Sequence, residues 1–170
     1  LNDTREAWKG SWKVERMTLA GEVLASQTFD VELDAVSHVS LQLAEEIVDY
    51  ADAGNELVVA TASDGAFARV IFNPAEVIGQ KLAAPAEAFE TVASRVDGGV
   101  ELKVTATSYV RDLFCMADKI DAKASVDAGM VSLLPGESVT LRIDTGSDDD
   151  PQSFAAANVL RSANDLKREW

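Results

Sequence analysis

The pattern that stands out along the chain is alternation. In Val100-Glu101-Leu102-Lys103-Val104-Thr105-Ala106-Thr107 every second residue is apolar, which is how a strand with one packed and one wet face is written. Just before it, Asp97-Gly98-Gly99 offers glycines that take positive φ without a Cβ clash, so a hairpin is predicted with the stretch Val92 to Val96. Leu134-Pro135-Gly136-Glu137 places proline and glycine in the order a type II turn requires. The strand predicted after it, Val139 to Ile143, alternates again. Val100, Leu102, Val104, Leu141 and Ile143 are therefore assigned to a core.

The first half follows the same logic. Trp12 and Val14 share a face, while Met17 and Leu19 fall in the opposite phase, a slip that predicts a β-bulge near Glu15-Arg16. Ala20-Gly21-Glu22 is a turn, and Phe29 to Asp34 and Val39 to Leu43 are predicted strands. Leu43 to Glu56 mixes good helix formers with partial helical spacing and reads as a short helix or a loop. Leu57 to Ala62, the turn Ser63-Asp64-Gly65 and a strand around Ala68 to Phe72 predict a hairpin. Between Pro74 and Pro85 the β-branched periodicity lapses, so the domain boundary is placed at about Leu82 to Ala86, giving residues 1–84 and 85–170. Ser153 to Leu160 is predicted as a last edge strand. The fold class is all-β, two tandem sandwiches, each close to the ~100 residues of an immunoglobulin-like domain.

Charge narrows the partners. With 29 acidic residues against 15 Lys plus Arg, the formal net charge is −14, which repels phosphate backbones and anionic membrane, so neither nucleic acid nor membrane is expected as a partner. No apolar run approaches the ~20 residues of a membrane span. Cys115 is the only cysteine. It excludes an internal disulfide and fits a reducing, cytoplasmic setting. Set in Leu113-Phe114-Cys115-Met116, it reads as a small buried hydrophobe. His38, the only histidine, has no second histidine to share a metal and is expected on a surface strand. Asp148-Asp149-Asp150 runs into Pro151 without the spaced ligands of a calcium loop, so a solvated turn is expected. Asp and Glu are too numerous for any catalytic pair to stand out. Trp8, Trp12 and Trp170 could stack on sugars; the favoured reading is one core tryptophan and two at a contact surface. Asn2-Asp3-Thr4 matches a glycosylation triplet, a pattern frequent by chance. No catalytic residue, no metal ligand and no cofactor-binding residue is assigned.

Several of these stretches resemble a family. Asn2-Asp3-Thr4 with Trp8-Lys9-Gly10, then Leu19-Ala20-Gly21-Glu22-Val23-Leu24, look like the opening of the immunoglobulin-like domain that follows the catalytic barrel in β-mannosidases of the sugar-hydrolase clan related to β-galactosidase. Val110-Arg111-Asp112-Leu113-Phe114 and Leu133-Leu134-Pro135-Gly136-Glu137 resemble the C-terminal domain of the same enzymes. Where that family carries a Ser-Asp-Asn-aromatic run, this chain reads Ser125-Val126-Asp127-Ala128-Gly129-Met130, which keeps Asp127. Related exo-glucosaminidases and endo-mannosidases share the trailing sandwiches and stay open as parents.

The resemblance implies a non-catalytic accessory region. Its partner would be the catalytic barrel of the same polypeptide, with terminal mannosides met only through the parent's active site. The parent would be a retaining β-mannosidase, a glycoside hydrolase whose two carboxylates lie upstream of Leu1. The chain begins at Leu1 and not at methionine, so a piece of a longer polypeptide is expected. The rival is a free-standing tandem module that binds carbohydrate or protein.

Overall fold

A computed structural model describes residues 1–63, 65 and 67–166. The chain is 43% strand and 14% helix, and because the helices are single turns the architecture is all-β. The strands, in chain order, are β1 (Trp8–Thr18), β2 (Val23–Leu33), β3 (Glu56–Ala62), β4 (Val70–Phe72), β5 (Phe89–Val96), β6 (Gly99–Ala106), β7 (Val110–Cys115), β8 (Ser125–Val126), β9 (Val131–Leu133), β10 (Ser138–Asp144) and β11 (Leu160–Arg161). The two α-helical turns are α1 (Glu45–Val48) and α2 (Pro85–Ala88). Contacts divide the chain into two compact units, one of Leu1–Thr18 and Glu22–Glu76, the other of Leu19–Gly21 and Val77–Trp170.

The first unit is built on an antiparallel sheet of order β2-β1-β3-β4. Its core gathers Val14, Val58 and Ile47 of α1, with Ala25, Phe29, Tyr50 and Ala60 packed around them. The slip of phase in β1 is real, but β1 has no inserted residue. Its register with β3 runs unbroken from Trp12 opposite Ala62 to Thr18 opposite Glu56. The irregularity lies against β2, where Arg16 faces Ala25 and Met17 faces Val23, so Leu24 is the extra residue. Met17 thus keeps the opposite face from Trp12 and Val14, opposite Leu57, and both are buried. This end of the sheet is apolar on both faces, which is why a single alternation could not describe it. On the Val14 face, Arg16 pairs with the buried Glu56 at 3.2 Å, and Glu56 also accepts the Asp52 N–H at 2.8 Å.

Val39 to Leu43 is not a strand. Among the described residues it joins no ladder, since alternation puts apolar side chains on one side of any extended chain and only a neighbouring edge converts that into a strand. Leu43 to Glu56 contains α1, the short helix allowed for it. The β3–β4 hairpin is present, with Gly65 at φ +67°, while Asp64 of its turn lies outside the described residues.

The second unit has two sheets, β5-β6-β10-β8 and β11-β7-β9. One core takes its side chains from both: Val100, Leu102, Val104, Leu141 and Ile143 from the first, Val110, Leu113, Leu133 and Leu160 from the second, and it includes Phe154. All five residues assigned from alternation have no exposed surface. The hairpin turn is Asp97-Gly98, with Val96 opposite Gly99. Only Gly98 has positive φ, at +74°. Gly99 is needed for a different reason: a Cβ there would stand 2.0 Å from the Ile143 carbonyl oxygen. In the Leu134–Glu137 turn Gly136 has φ +85° and the Glu137 N–H donates to the Leu134 carbonyl at 3.0 Å. Ser153 to Leu160 departs from expectation. Asp150 Oδ1 accepts the Gln152 N–H at 3.0 Å and caps a 3-10 helix, Pro151–Ala155, that buries Phe154. Only Leu160–Arg161 is the edge strand, because proline after a capping aspartate starts a helical turn.

Leu102→Ala and Leu141→Ala are each expected to cost ~2–5 kcal/mol in denaturant unfolding, the range for a cavity in a packed core. Gly99→Ala is expected to destabilise the second unit as well, through a backbone clash instead of a cavity, whereas Gly98→Asn, which tolerates positive φ, is expected to be milder. Equal midpoints for the two glycine variants would contradict the separate roles given to them.

Candidate functional site

The chemistry-bearing residues do not converge on one centre, and each unit carries its own candidate surface. In the first, Trp8, Gly10 and Trp12 alternate onto one face of β1. A Cβ on Gly10 would fall 2.5 Å from the Trp8 ring, so the indole lies over the glycine and the Trp8-Lys9-Gly10 stretch is a packing motif. Phe67 closes the group, edge-on to Trp8 with ring centroids 5.2 Å apart and tilted against Trp12 at 5.8 Å. With Leu1, Val31, Leu33, Val39 and Leu41 these rings line a pocket of about 230 Å³. Trp8 and Trp12 are both half-buried, and Trp170, the third tryptophan of that expectation, lies outside the described residues.

Val39, Leu41 and Phe67 are 45%, 42% and 45% exposed. No lining side chain is a carboxylate, amide or hydroxyl, so a sugar entering this pocket would give up hydrogen bonds with water and find few in return. The pocket is fitted to apolar partners. Nearby, Asn2 is a structural clip: its Nδ2 donates to the Glu6 and Asp34 carbonyls at 2.8 and 2.9 Å, and its Oδ1 accepts from Thr4 Oγ1 at 2.8 Å. The amide is buried and committed, which is no state for a glycan acceptor. The turn it ties down holds Val36 at φ +52°, a backbone conformation that β-branched residues avoid.

In the second unit the irregular strand is β7. Val110 faces Leu133 and Leu113 faces Val131, so Arg111 and Asp112 together oppose Ser132 in a bulge. Asp112 sits there at φ +55°, with its N–H donating to Ser132 Oγ at 3.1 Å. Arg111 is turned sideways, its guanidinium donating to Gln80 Oε1 at 2.6 Å and its Nε standing 3.3 Å from Asp112 Oδ2. The buried Asn164 holds the bulge in place: Oδ1 accepts the Arg111 N–H at 3.0 Å, and Nδ2 donates to the Ala83 and Tyr109 carbonyls at 3.0 and 3.1 Å. Periodicity carries no trace of this network, because a bulge is invisible to a period of two. Beside it opens a pocket of about 300 Å³ lined by Phe114, Met116, Met130 and Leu166, with Asp112 and Arg161 among its walls. Met130 is also at φ +55°. Non-glycine residues held this way cost about 1–3 kcal/mol each.

The remaining sequence candidates, and Asp121, which periodicity did not single out, are accounted for locally. Cys115 is half-buried, its thiol directed to the Phe154 carbonyl at 3.8 Å. Burial, helped by Asp118, pushes its pKa up to about 11, the reverse of an activated thiol. His38 is exposed but outside any strand. Asp121 accepts the Lys123 N–H at 3.0 Å and the Thr145 hydroxyl at 2.8 Å, bonds that hold its carboxyl below the usual range. Asp127 accepts the Arg142 N–H at 2.9 Å. Asp149 and Asp150 serve their own turn: Asp149 N–H donates to Ser147 Oγ at 3.1 Å. Among the described residues no group of three or more His, Cys, Asp or Glu is arranged to hold a metal, and no helix is long and apolar enough to cross a membrane.

No family model matches the chain, and no curated protein matches it. Among solved structures its fold is similar to part of a β-D-mannosidase from Dictyoglomus thermophilum, at 14% identity and a TM-score of 0.62, over 95% of this chain and 19% of that one. An exo-chitosanase, CsxA of Amycolatopsis orientalis, aligns over 96% of this chain and 24% of its own at 16% identity, with a TM-score of 0.49. The chain therefore spans about a fifth of the mannosidase it is similar to. At this identity the likeness establishes a shared fold and nothing of activity.

Asn164→Ala would strand the Arg111 N–H and two carbonyls, and is expected to cost about 1–3 kcal/mol by the penalty for buried unsatisfied groups, more than an exposed Asn158→Ala. For Cys115, the unfolded chain loses its thiol proton near the ordinary value of 9.0 and the folded chain only near 11. Its contribution to stability is thus intact below pH 9 and lost as pH rises from 9 to 11. Iodoacetamide labelling of the native chain is expected to lag behind that of the unfolded chain throughout this window.

Proposed function

We propose that this chain is a non-catalytic accessory region of a larger glycoside hydrolase, whose role is to pack against other domains of the same polypeptide. The observation that supports it best is the fold: nearly the whole chain is similar to about a fifth of a β-D-mannosidase, while the short motifs in both halves resemble the trailing domains of β-mannosidases. The apolar pocket of the first unit agrees with the reading, since half-exposed Phe67, Val39 and Leu41 in a unit with fourteen acidic and five basic residues form the kind of patch a neighbouring domain covers.

In its finer form the proposal makes both halves immunoglobulin-like sandwiches that divide at about Leu82 to Ala86, as residues 1–84 and 85–170. The parent is then a retaining β-mannosidase removing terminal, non-reducing β-D-mannose, and the partner surface is its catalytic barrel. Retention needs a nucleophile and an acid/base about 5–5.5 Å apart beside a sugar pocket. The aromatic pocket here has no carboxylate in its lining, and the pocket beside β7 contains a single one, Asp112.

A chromogenic β-mannoside decides the point. The chain alone is expected to turn over no faster than buffer, while the full-length parent hydrolyses it. Turnover by the chain that a single Asp or Glu substitution abolishes would overturn the accessory reading. A carbohydrate-binding module would be retarded in a mannan affinity gel; no retardation is expected here.

A further inference from the structure

The pocket beside β7 has features that packing does not explain. Among the described residues, two of the three non-glycine residues with positive φ, Asp112 and Met130, line this one cavity. Met130 gains no burial there, being 65% exposed. A non-glycine residue held in this conformation is uncommon, and Asn, Asp and His are the types enriched among such cases. Phe114 and Met116 of the same lining supply an aromatic face and a polarisable thioether, groups that suit a flat or irregular apolar body.

The polar groups restrict what that body can bear. Arg161 is committed to Asp165 at 3.2 Å. Among the described residues Arg111 Nε approaches Asp112 at Oδ2, and the Asp112 side chain is 38% exposed. One carboxylate oxygen is thus left to accept a hydrogen bond from a donor in the cavity. The formal charge of −14 favours cations over anions in any such site, and an ammonium near Phe114 adds an attraction to the ring face. A cavity of about 300 Å³ lies at the lower limit of ligand pockets.

We propose that the cavity lined by Asp112, Phe114, Met116 and Met130 is a binding site for small apolar amines, the apolar body lying on Phe114 and the two thioethers and the ammonium donating to Asp112. It stands independently of the accessory role, since neither the parent's activity nor its barrel enters the argument.

The three methionines of the chain provide the test, because Met116 and Met130 line the cavity and Met17 belongs to the first unit. With methyl-¹³C methionine in the 170-residue chain, titration of phenethylamine at pH 7 is expected to move the Met116 and Met130 methyl signals saturably and leave that of Met17 in place. 3-Phenylpropionate, with the same ring and an anionic end, is expected to bind at least about tenfold more weakly, given like-charge repulsion at Asp112. Asp112→Asn keeps a residue that tolerates positive φ and is expected to weaken phenethylamine about tenfold while strengthening the propionate, whose repulsion it removes. Equal affinity for amine and acid, movement of all three methionines, no saturable shift, or an Asn variant that binds the amine as before would each overturn the proposal. If the Asn variant fails to fold, the comparison of amine with acid on the unaltered chain decides alone.

Discussion

The second unit depends on the pairing of β6 with β10, in which Val104 faces Val139, Leu102 faces Leu141 and Val100 faces Ile143. Each pair sends its side chains to the same core, so the ladder and the hydrophobic burial support one register, and a shift of one residue would turn all of them to solvent. Gly99 marks the end of that register. There the backbones come close enough that a single methyl would meet the Ile143 carbonyl at 2.0 Å. The second sheet, β11-β7-β9, contributes Val110, Leu113, Leu133 and Leu160 to the core so defined, and its own ladders are too short to stand without it.

The two units use aromatic and apolar residues differently. In the second, the aromatic residues Tyr109 and Phe154 are fully buried, together with Leu102, Leu113, Leu141 and Ile143. In the first, the described strands form one sheet, and on its Trp12 and Val14 face the single turn α1 covers only part of the apolar surface. The Trp8–Trp12–Phe67 group sits in that opening. Physical economy favours a partner there, because a half-exposed aromatic cluster retains hydrophobic free energy that only contact with another surface can release. This surface motivates the accessory role proposed above: its lining is apolar and lacks the carboxylates, amides and hydroxyls of a sugar site.

The bulge in β7 shows how a local exception creates a site. Arg111 and Asp112 share one partner position, which takes their side chains out of the strict in-and-out alternation. Asn164 then meets the backbone groups that the ladder no longer satisfies, as buried amides and carbonyls require. A regular strand at the same place would have pointed one of the two charged residues into the core.

How much of this was legible in the sequence varies with the range of the interaction. Alternation at Val100–Thr107 and Val139–Ile143, and glycine at 98 and 136, determined strands, core residues and turns, because period-two burial and positive φ are properties of the residues themselves. The family resemblance of the short motifs likewise reached the fold that the β-D-mannosidase likeness supports. What failed was whatever required a partner to be known. Val39 to Leu43 alternates yet has no edge to join, Ser153 to Leu160 is diverted by the Asp150 cap into a helical turn, and the extra residue of the first hairpin is Leu24 on β2, a position that only the pairing identifies. Both candidate surfaces belong to this second class. Phe67 reaches Trp8 and Trp12 across the sheet, and Asn164 reaches Arg111 across more than fifty residues of chain. Neither approach has a period or a motif, so both were decided by the tertiary structure, where burial and hydrogen-bond satisfaction act between residues that the sequence keeps far apart.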